Sequence, residues 1–306
     1  MEKRSFRDGV QFAWDATSLE LAQTCLRKYY YTMIRGIQPR QQNVHLLFGG
    51  LYASALEGYY KHKAAGASHE DAMRSVVHTA LINSWVRDES PAGGYPMTFD
   101  HAAKTRPNLI RTIVWYLEQY GEETEDGLTT YHLADGTPAV ELSFNLELSE
   151  DILYCGHLDR VSDFGGKLYV VDQKTTGSTI GPYFFDQFNP SNQMTGYAWA
   201  GKVILKSPVH GVIIDAAQIA INFTEFGRGV TTRTESQIAE WHESALWTIN
   251  LARHATEMEK FPMNASSCGN YGGCPFRRVC SRPQHVRENF IKADYTEHNW
   301  DPLEAR

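Results

Sequence analysis

Gly156-His157-Leu158-Asp159-Arg160 is followed, after a Gly-Gly turn, by Leu168-Tyr169-Val170-Val171-Asp172-Gln173-Lys174-Thr175-Thr176. These two stretches decide the fold. Both are apolar, β-branched runs bounded by turn residues, and Asp163-Phe164-Gly165-Gly166 lies between them, so they read as the two strands of a hairpin. In a strand, residues two apart face the same way. Asp172 and Lys174 therefore share one face, Gln173 takes the other, and Asp159 on the adjacent strand can meet the pair. A core reading explains an acid and a lysine at the end of an apolar strand poorly. A site at a strand end explains them well, as do surface ion pairs of Asp172 with Lys174 or Asp159 with Arg160.

Reading outward, Val140 to Leu146 alternates with period two and adds a third strand ahead of the hairpin, so residues 140–174 predict an antiparallel meander. Downstream, Asn189-Pro190 predicts a helix start with Asn189 as N-cap and Pro190 at N1, running to about Leu205. Residues 212–223 predict another strand, and 236–260 a long helix. Upstream the chain reads as helical. Thr17-Ser18-Leu19-Glu20 has capping-box spacing, helices are predicted over about 47–62, 69–87 and 107–120, and residues 88–97 read as a connection. The order, helices then three strands, helix, strand and helix, defines an α/β (α+β) class with one mixed central sheet flanked by helices. We expect one integrated domain in three parts: a helical part over 1–135, a core over 136–260, and a cysteine-rich segment and tail over 261–306.

The 306 residues carry a net charge of −7, with 42% hydrophobic and 21% charged residues, ordinary values for a globular protein. That balance speaks against a generally basic nucleic-acid coat, yet acids at a site and bases along a groove would cancel in the total. No stretch nears the roughly 20 apolar residues of a membrane span, and Met1 to Asp8 shows no apolar signal region, so a cytoplasmic location is expected. With five cysteines, disulfides are not expected in that setting.

Two carboxylates and a lysine at one strand end suit metal-assisted hydrolysis of a phosphate ester. A divalent cation held by carboxylates offsets phosphate charge and activates water, and Mg²⁺ often takes only one or two carboxylates plus substrate oxygens. Read together, Gly156-His-Leu-Asp159-Arg and Val-Val-Asp172-Gln-Lys174 resemble the core of the PD-(D/E)XK nuclease superfamily, and in particular its RecB-like and CRISPR-associated exonuclease branch. Phe48-Gly49-Gly50-Leu51-Tyr52-Ala53-Ser54-Ala55-Leu56-Glu57-Gly58-Tyr59-Tyr60 is similar to its first helical motif, and Gln193-Met-Thr-Gly-Tyr197 to its Q-x-x-x-Y helix. Glu141 precedes the Asp159 strand much as a family acid does.

The resemblance implies a restriction-endonuclease-like fold. It implies Mg²⁺ or Mn²⁺ held by Asp159 and Asp172 with the Gln173 carbonyl as an extra ligand, Lys174 serving the water, Gln193 and Tyr197 contacting DNA or bracing the site, and Glu57 as a further catalytic candidate. A solvated helix acid explains Glu57 equally well. Where the family's first motif carries a metal-ligating histidine, this chain has Ala53. His45 and His157 are nearby, and neither stands at the motif position. The substrate implied is DNA, single-stranded or with free ends. The settings implied are replication, recombination, repair, phage biology and CRISPR adaptation with their protein partners. The alternatives are a catalytically weak or inactive DNA-binding protein on the same fold and a zinc-stapled protein of another function.

Cys268-Gly-Asn-Tyr-Gly-Gly-Cys274-Pro-Phe-Arg-Arg-Val-Cys280 spaces three cysteines by five residues. Cys25 supplies a fourth. The spacing is wider than in most zinc knuckles, and Pro275 directly after a ligand suits an iron–sulfur loop. One upstream and three C-terminal cysteines resemble the 4Fe–4S staple of the same nuclease branch, with a Cys₄ zinc site and free thiols as the other readings. Cys155, in an apolar strand, reads as core. Arg27, Lys28, Arg277, Arg278 and Arg282 with Tyr29, Tyr30 and Phe276 suit single-stranded DNA, or else a solvated charged face around buried aromatics.

Overall fold

The computed structural model describes residues 3–41, 43–90, 92–122 and 127–304. In chain order its main elements are β1 (Ala13–Trp14), α1 (Ala16–Thr24), β2 (Ile37–Pro39), α2 (Val44–Ala64), α3 (His69–Asn83), α4 (Arg106–Tyr120), β3 (Leu128–Thr130), β4 (Val140–Ser149), β5 (Ile152–Phe164), β6 (Lys167–Thr176), α5 (Asn192–Leu205), β7 (Val209–Ile219), β8 (Thr224–Thr231), α6 (Glu235–Glu257), α7 (Arg287–Asp294) and β9 (Tyr295–Glu297). The mixed central sheet of the sequence reading is present. Its strands run β8-β7-β6-β5, and β5 also pairs with β1, β3 and β4. The β5–β6 and β7–β8 pairs are antiparallel and β6–β7 is parallel. At the β5–β6 turn, Gly165 and Gly166 have φ of +61° and +79°. Side chains rarely tolerate two consecutive left-handed residues, so this tight hairpin needs both glycines.

The chain divides into two compact units interleaved in sequence. One unit holds residues 43–142 and 157–233. Its core forms because Phe48, Tyr52, Leu56, Tyr59 and Tyr60 recur at helical spacing on α2 and are buried together with Leu109, Ile113, Tyr116 and Leu117 of α4 and with Ala217 and Ile219 of β7. Ser68 and Thr105 cap α3 and α4 by accepting the amides of Asp71 and Asn108. The face of β6 that carries Val170 is covered by α5, whose Gly201 lets the helix approach until an added Cβ would meet Val170 Cγ2 at 3.0 Å. On the other face, Gly49 of α2 lies against Thr175.

That second face holds a buried polar network that the sequence reading missed. Asp215 of β7 is 2% exposed. Its Oδ2 accepts from Tyr116 Oη at 2.5 Å and stands 3.3 Å from Arg228 Nε of β8. Tyr60 and Tyr116 hydroxyls meet at 3.4 Å, and the guanidiniums of Arg160 and Arg228 lie over the rings of Tyr60 and Tyr120 at 3.9 and 4.0 Å.

The other unit holds residues 1–42, 143–156 and 234–306. Ala13 and Trp14 pair in parallel with Leu153 and Tyr154, and β2 pairs with β9. Helix α1 opens two residues earlier than the Thr17 capping box predicts. Asp15 Oδ1 accepts from Ser18 N at 2.8 Å while Ser18 Oγ accepts from Asp15 N at 2.9 Å. Asp15 wins because its carboxylate is the stronger acceptor and also takes Trp300 Nε1 at 2.8 Å. Helix α5 likewise starts later than expected: Ser191 caps it, and the Asn189–Pro190 peptide is cis, so Pro190 is not at N1. Within residues 88–97, expected to be a plain connection, Tyr95–Pro96 pairs with Trp85–Val86, and Pro91 lies outside the described residues. Among the described residues no helix is long and apolar enough to cross a membrane.

Truncating Asp215 takes a buried carboxylate from Arg228 and Tyr116. We expect Asp215→Ala to lower stability by about 3–5 kcal/mol in urea unfolding, whereas Asp71→Ala, on an exposed α3 turn, changes it by roughly 1 kcal/mol or less.

Candidate active site

The site forms where the β5–β6 ladder ends. Register runs from Phe164↔Lys167 to Arg160↔Val171 and stops. Asp159 and Asp172 are the next residues on each strand. The Gln173 amide donates to Asp159 Oδ2 at 2.9 Å rather than to β5 backbone. Inserting a carboxylate into the ladder opens the strands and holds Asp159 beside Asp172. Strand alternation points both residues to the Val170 face, which α5 covers. His157, two residues before Asp159, shares that face by the same alternation.

Asp172 is 1% exposed. Lys174 Nζ stands 2.6 Å from its Oδ2 and offsets its charge. Asp172 Oδ1 has no hydrogen-bond partner among the described residues, a costly state for a buried carboxylate oxygen. Burial pushes Asp159 up to about 7, the charge of Asp172 adds to the rise, and Lys174 and the Gln173 amide oppose it; Glu141 raises it further. Asp172 is also pushed up by burial, with Lys174 opposing. Glu141, 8% exposed, sits at φ +52°. A left-handed backbone at a non-glycine residue costs on the order of 1–3 kcal/mol and is concentrated at functional sites.

Gln193 and Tyr197 lie one turn apart on α5, and Gln193 Nε2 donates to Tyr197 Oη at 3.1 Å. Arg233, which the sequence reading did not single out, ties the start of this helix down: it donates to Thr195 Oγ1 at 2.8 Å, Thr231 Oγ1 at 2.6 Å and the Phe188 carbonyl at 2.8 Å. Glu57 pairs instead with Lys61 on α2 at 2.5 Å, and no contact among the described residues joins it to Asp159, Asp172 or Lys174. Ala53 lies one helical turn beyond Gly49, and His45 stacks edge-on to His101. Asp215 carries the same signal that marked Asp172, an acid inside an apolar strand, so Val212-Ile-Ile-Asp215 could have been flagged from sequence.

Among the described residues no three His, Cys, Asp or Glu side chains are assembled as a ready metal site. The Asp159–Asp172 pair nonetheless suits Mg²⁺ or Mn²⁺. It offers hard carboxylate oxygens whose mutual repulsion a cation would relieve.

Cys25, Cys268, Cys274 and Cys280 are free thiols within the other unit. Asn264 bridges two of them, its amide donating to Cys25 Sγ at 3.3 Å and its carbonyl accepting from Cys268 Sγ at 3.8 Å. Cys274 N donates to Cys268 O at 2.9 Å. Burial raises the Cys274 and Cys280 thiols, each is raised further by Cys25, and Lys28 and Arg27 respectively oppose this. Among the described residues these thiols are not assembled as a ready metal site. Cys155, 1% exposed, is in the core.

The sequence matches the family model of the PD-(D/E)XK nuclease superfamily over residues 13–281, and the chain belongs to that superfamily. No curated protein matches it. Among solved structures it is similar to a candidate exonuclease from Eubacterium rectale, at 11% identity and a TM-score of 0.51, covering 90% of this chain and 91% of that one. That likeness extends the agreement to the fold. A looser likeness is to the structure titled SSO0001, at 14% identity and a TM-score of 0.31, covering 87% of this chain and 96% of that one.

A carboxyl group whose folded pKa lies above its unfolded value near 4 stabilises the fold below that value and loses its contribution as pH rises through about 7. Asp159→Asn should therefore raise Tm at pH 8 by a few °C, with the gain shrinking toward pH 4. Millimolar Mn²⁺ should raise the Tm of the wild type at pH 8 and not that of the variant; differential scanning fluorimetry across pH checks both.

Proposed function

We propose that the chain is a metal-dependent DNA nuclease acting at free ends, an exonuclease of the RecB-like kind. The observation that carries this reading is the buried Asp172 beside the half-buried Asp159 at the β5–β6 fork, with Lys174 2.6 Å from Asp172. In this reading Asp159, Asp172 and the Gln173 carbonyl hold Mg²⁺ or Mn²⁺, which supplies Lewis acidity and a more acidic bound water when present. Lys174 positions the attacking water and offsets charge developing on the phosphate. Gln193 and Tyr197, hydrogen-bonded to each other, brace the α5 wall of the site or touch the strand. Glu57 stays a weaker candidate, given its pairing with Lys61. Superfamily membership supports DNA as the substrate in this reading. A role in replication, recombination, repair or CRISPR adaptation, with protein partners from those processes and a cytoplasmic setting, belongs to the same proposal.

The four cysteines are assigned to a 4Fe–4S cluster that staples Cys25 to the 268–280 segment, with zinc as the other occupant. The convergence of Cys25 and Cys268 on Asn264 supports a shared ligand set. The staple is structural in this reading.

Ala53 favours a second reading, a DNA-binding protein of low or no turnover. The usual ligating position carries a methyl group, and among the described residues no group of three or more ligating side chains is assembled.

Digestion of 5′- and 3′-labelled single- and double-stranded DNA with Mn²⁺ separates these readings. The nuclease reading expects progressive shortening, reduced on the order of 100-fold or more by Lys174→Ala and by Asp172→Ala. Binding without cleavage supports the second reading, and cleavage that ignores both substitutions removes the site assignment. Anaerobically purified protein should be brown and hold about four irons per chain, lost in Cys25→Ala; a colourless, zinc-containing preparation would reverse the cluster assignment.

A further inference from the structure

Lys104 is buried to 2% exposure. Among the described residues its ammonium has neither a carboxylate nor a hydrogen-bond acceptor; it lies over the ring of Phe48 at 5.6 Å. Burying an ammonium this way is expensive. The neighbours add positive potential. His45 occupies the first turn of α2, the positive end of that 21-residue helix. Its ring sits 5.1 Å from that of His101. His101 Nδ1 accepts from the amides of Ala103 and Lys104 at 3.1 and 2.9 Å. That leaves the proton on Nε2, a free donor direction. Burial pulls Lys104 down to about 8, and burial, Lys104 and His101 pull His45 down. Lys104 and a protonated His45 repel each other, and among the described residues no ion pair joins either to an acid.

We infer that Lys104, His45 and His101, at the N-terminal end of α2, form a subsite for a phosphate group of the nucleic-acid strand. A compact ammonium at the base with a ring N–H beside it suits phosphate oxygens, and the exposed His45 leaves the subsite open on one side. Gly49, four residues along α2 from His45, lies against Thr175 of β6. The inference rests on the nuclease reading for its ligand. It also gives His45 a role that the metal-ligand expectation did not, because its charged neighbours are cations and not the carboxylates.

The test is fluorescence anisotropy of short single strands labelled at the 3′ end, bearing either a 5′-phosphate or a 5′-hydroxyl, in EDTA so that nothing is cleaved. Lys104→Met keeps the stem packed on Phe48 and removes the charge. Its affinity should fall about tenfold, and the slope of log Kd against log salt should drop by about 0.7, one single-strand phosphate contact. A loss confined to the 5′-phosphorylated strand assigns a terminal phosphate, and an equal loss on both strands assigns a backbone phosphodiester. Either result supports the subsite. Wild-type affinity and slope in Lys104→Met overturn it, as does an absence of strand binding by the wild type. Should Lys104→Met unfold, His45→Glu at the exposed rim gives the same reading: weakened binding supports the subsite and unchanged binding overturns it. Failure of the nuclease reading looks different. Strands would still bind through Lys104 while Mn²⁺ produced no cleavage, or cleavage indifferent to Asp172 and Lys174.

Discussion

A buried carboxylate and a half-buried one held side by side, with one lysine and one backbone amide to offset them, set the terms for the rest of this fold. Asp172 is 1% exposed and paired with Lys174, and Asp159 is pushed up to about 7 mainly by burial. Such a pair persists only if the surrounding framework over-determines it. Here the framework is the β5–β6 hairpin, zipped as far as Arg160 and Val171 and then prised open by Asp159 itself. On the Val170 face, α5 packs through Gly201, and Arg233 pins the approach to that helix. On the opposite face, Asp215, Arg228, Arg160, Tyr60, Tyr116 and Tyr120 form a second polar layer.

Much of this was legible because its signals are local. Period-two alternation located β4, apolar runs bounded by turn residues located β5 and β6, and the two-residue spacing put Asp172 and Lys174 on one face before any tertiary contact was known. Helices α2, α3 and α4 were legible from apolar spacing, with ends shifted by a few residues. The helix starts were less so. Asp15 and Ser191 displaced Thr17 and Asn189 as caps because the choice among neighbouring Asp, Ser, Thr and Asn residues rests on who else binds them, and Trp300 is 285 residues from Asp15. The interleaving of the two units has no local signature at all.

The site was less legible than the strands. Asp159, Asp172 and Lys174 are two short words in the sequence, and superfamily membership gives them weight. Lys104 gave no signal, since a lysine in His101-Ala-Ala-Lys104 reads as surface until packing buries it over Phe48. Asp215 did carry a signal that went unused. Glu57, similar to a family position by sequence, is held by Lys61 one turn away, the ordinary fate of an acid on an exposed helix flank. The cysteine spacing pointed to a ligand set, and Asn264, which touches two of its members, lies just outside the motif.

The central claim is that the Asp159–Asp172 pair is poised for a divalent cation. Calorimetric titration with Mn²⁺ at pH 6.5, in two buffers of different ionisation enthalpy, tests it most directly. Because Asp159 is partly protonated there, binding must displace a proton. The account predicts release of about one proton or somewhat less per ion at pH 6.5, little release at pH 8.5, and no binding in Asp172→Asn. Mn²⁺ binding without proton release at pH 6.5, or binding that survives in Asp172→Asn, would contradict it.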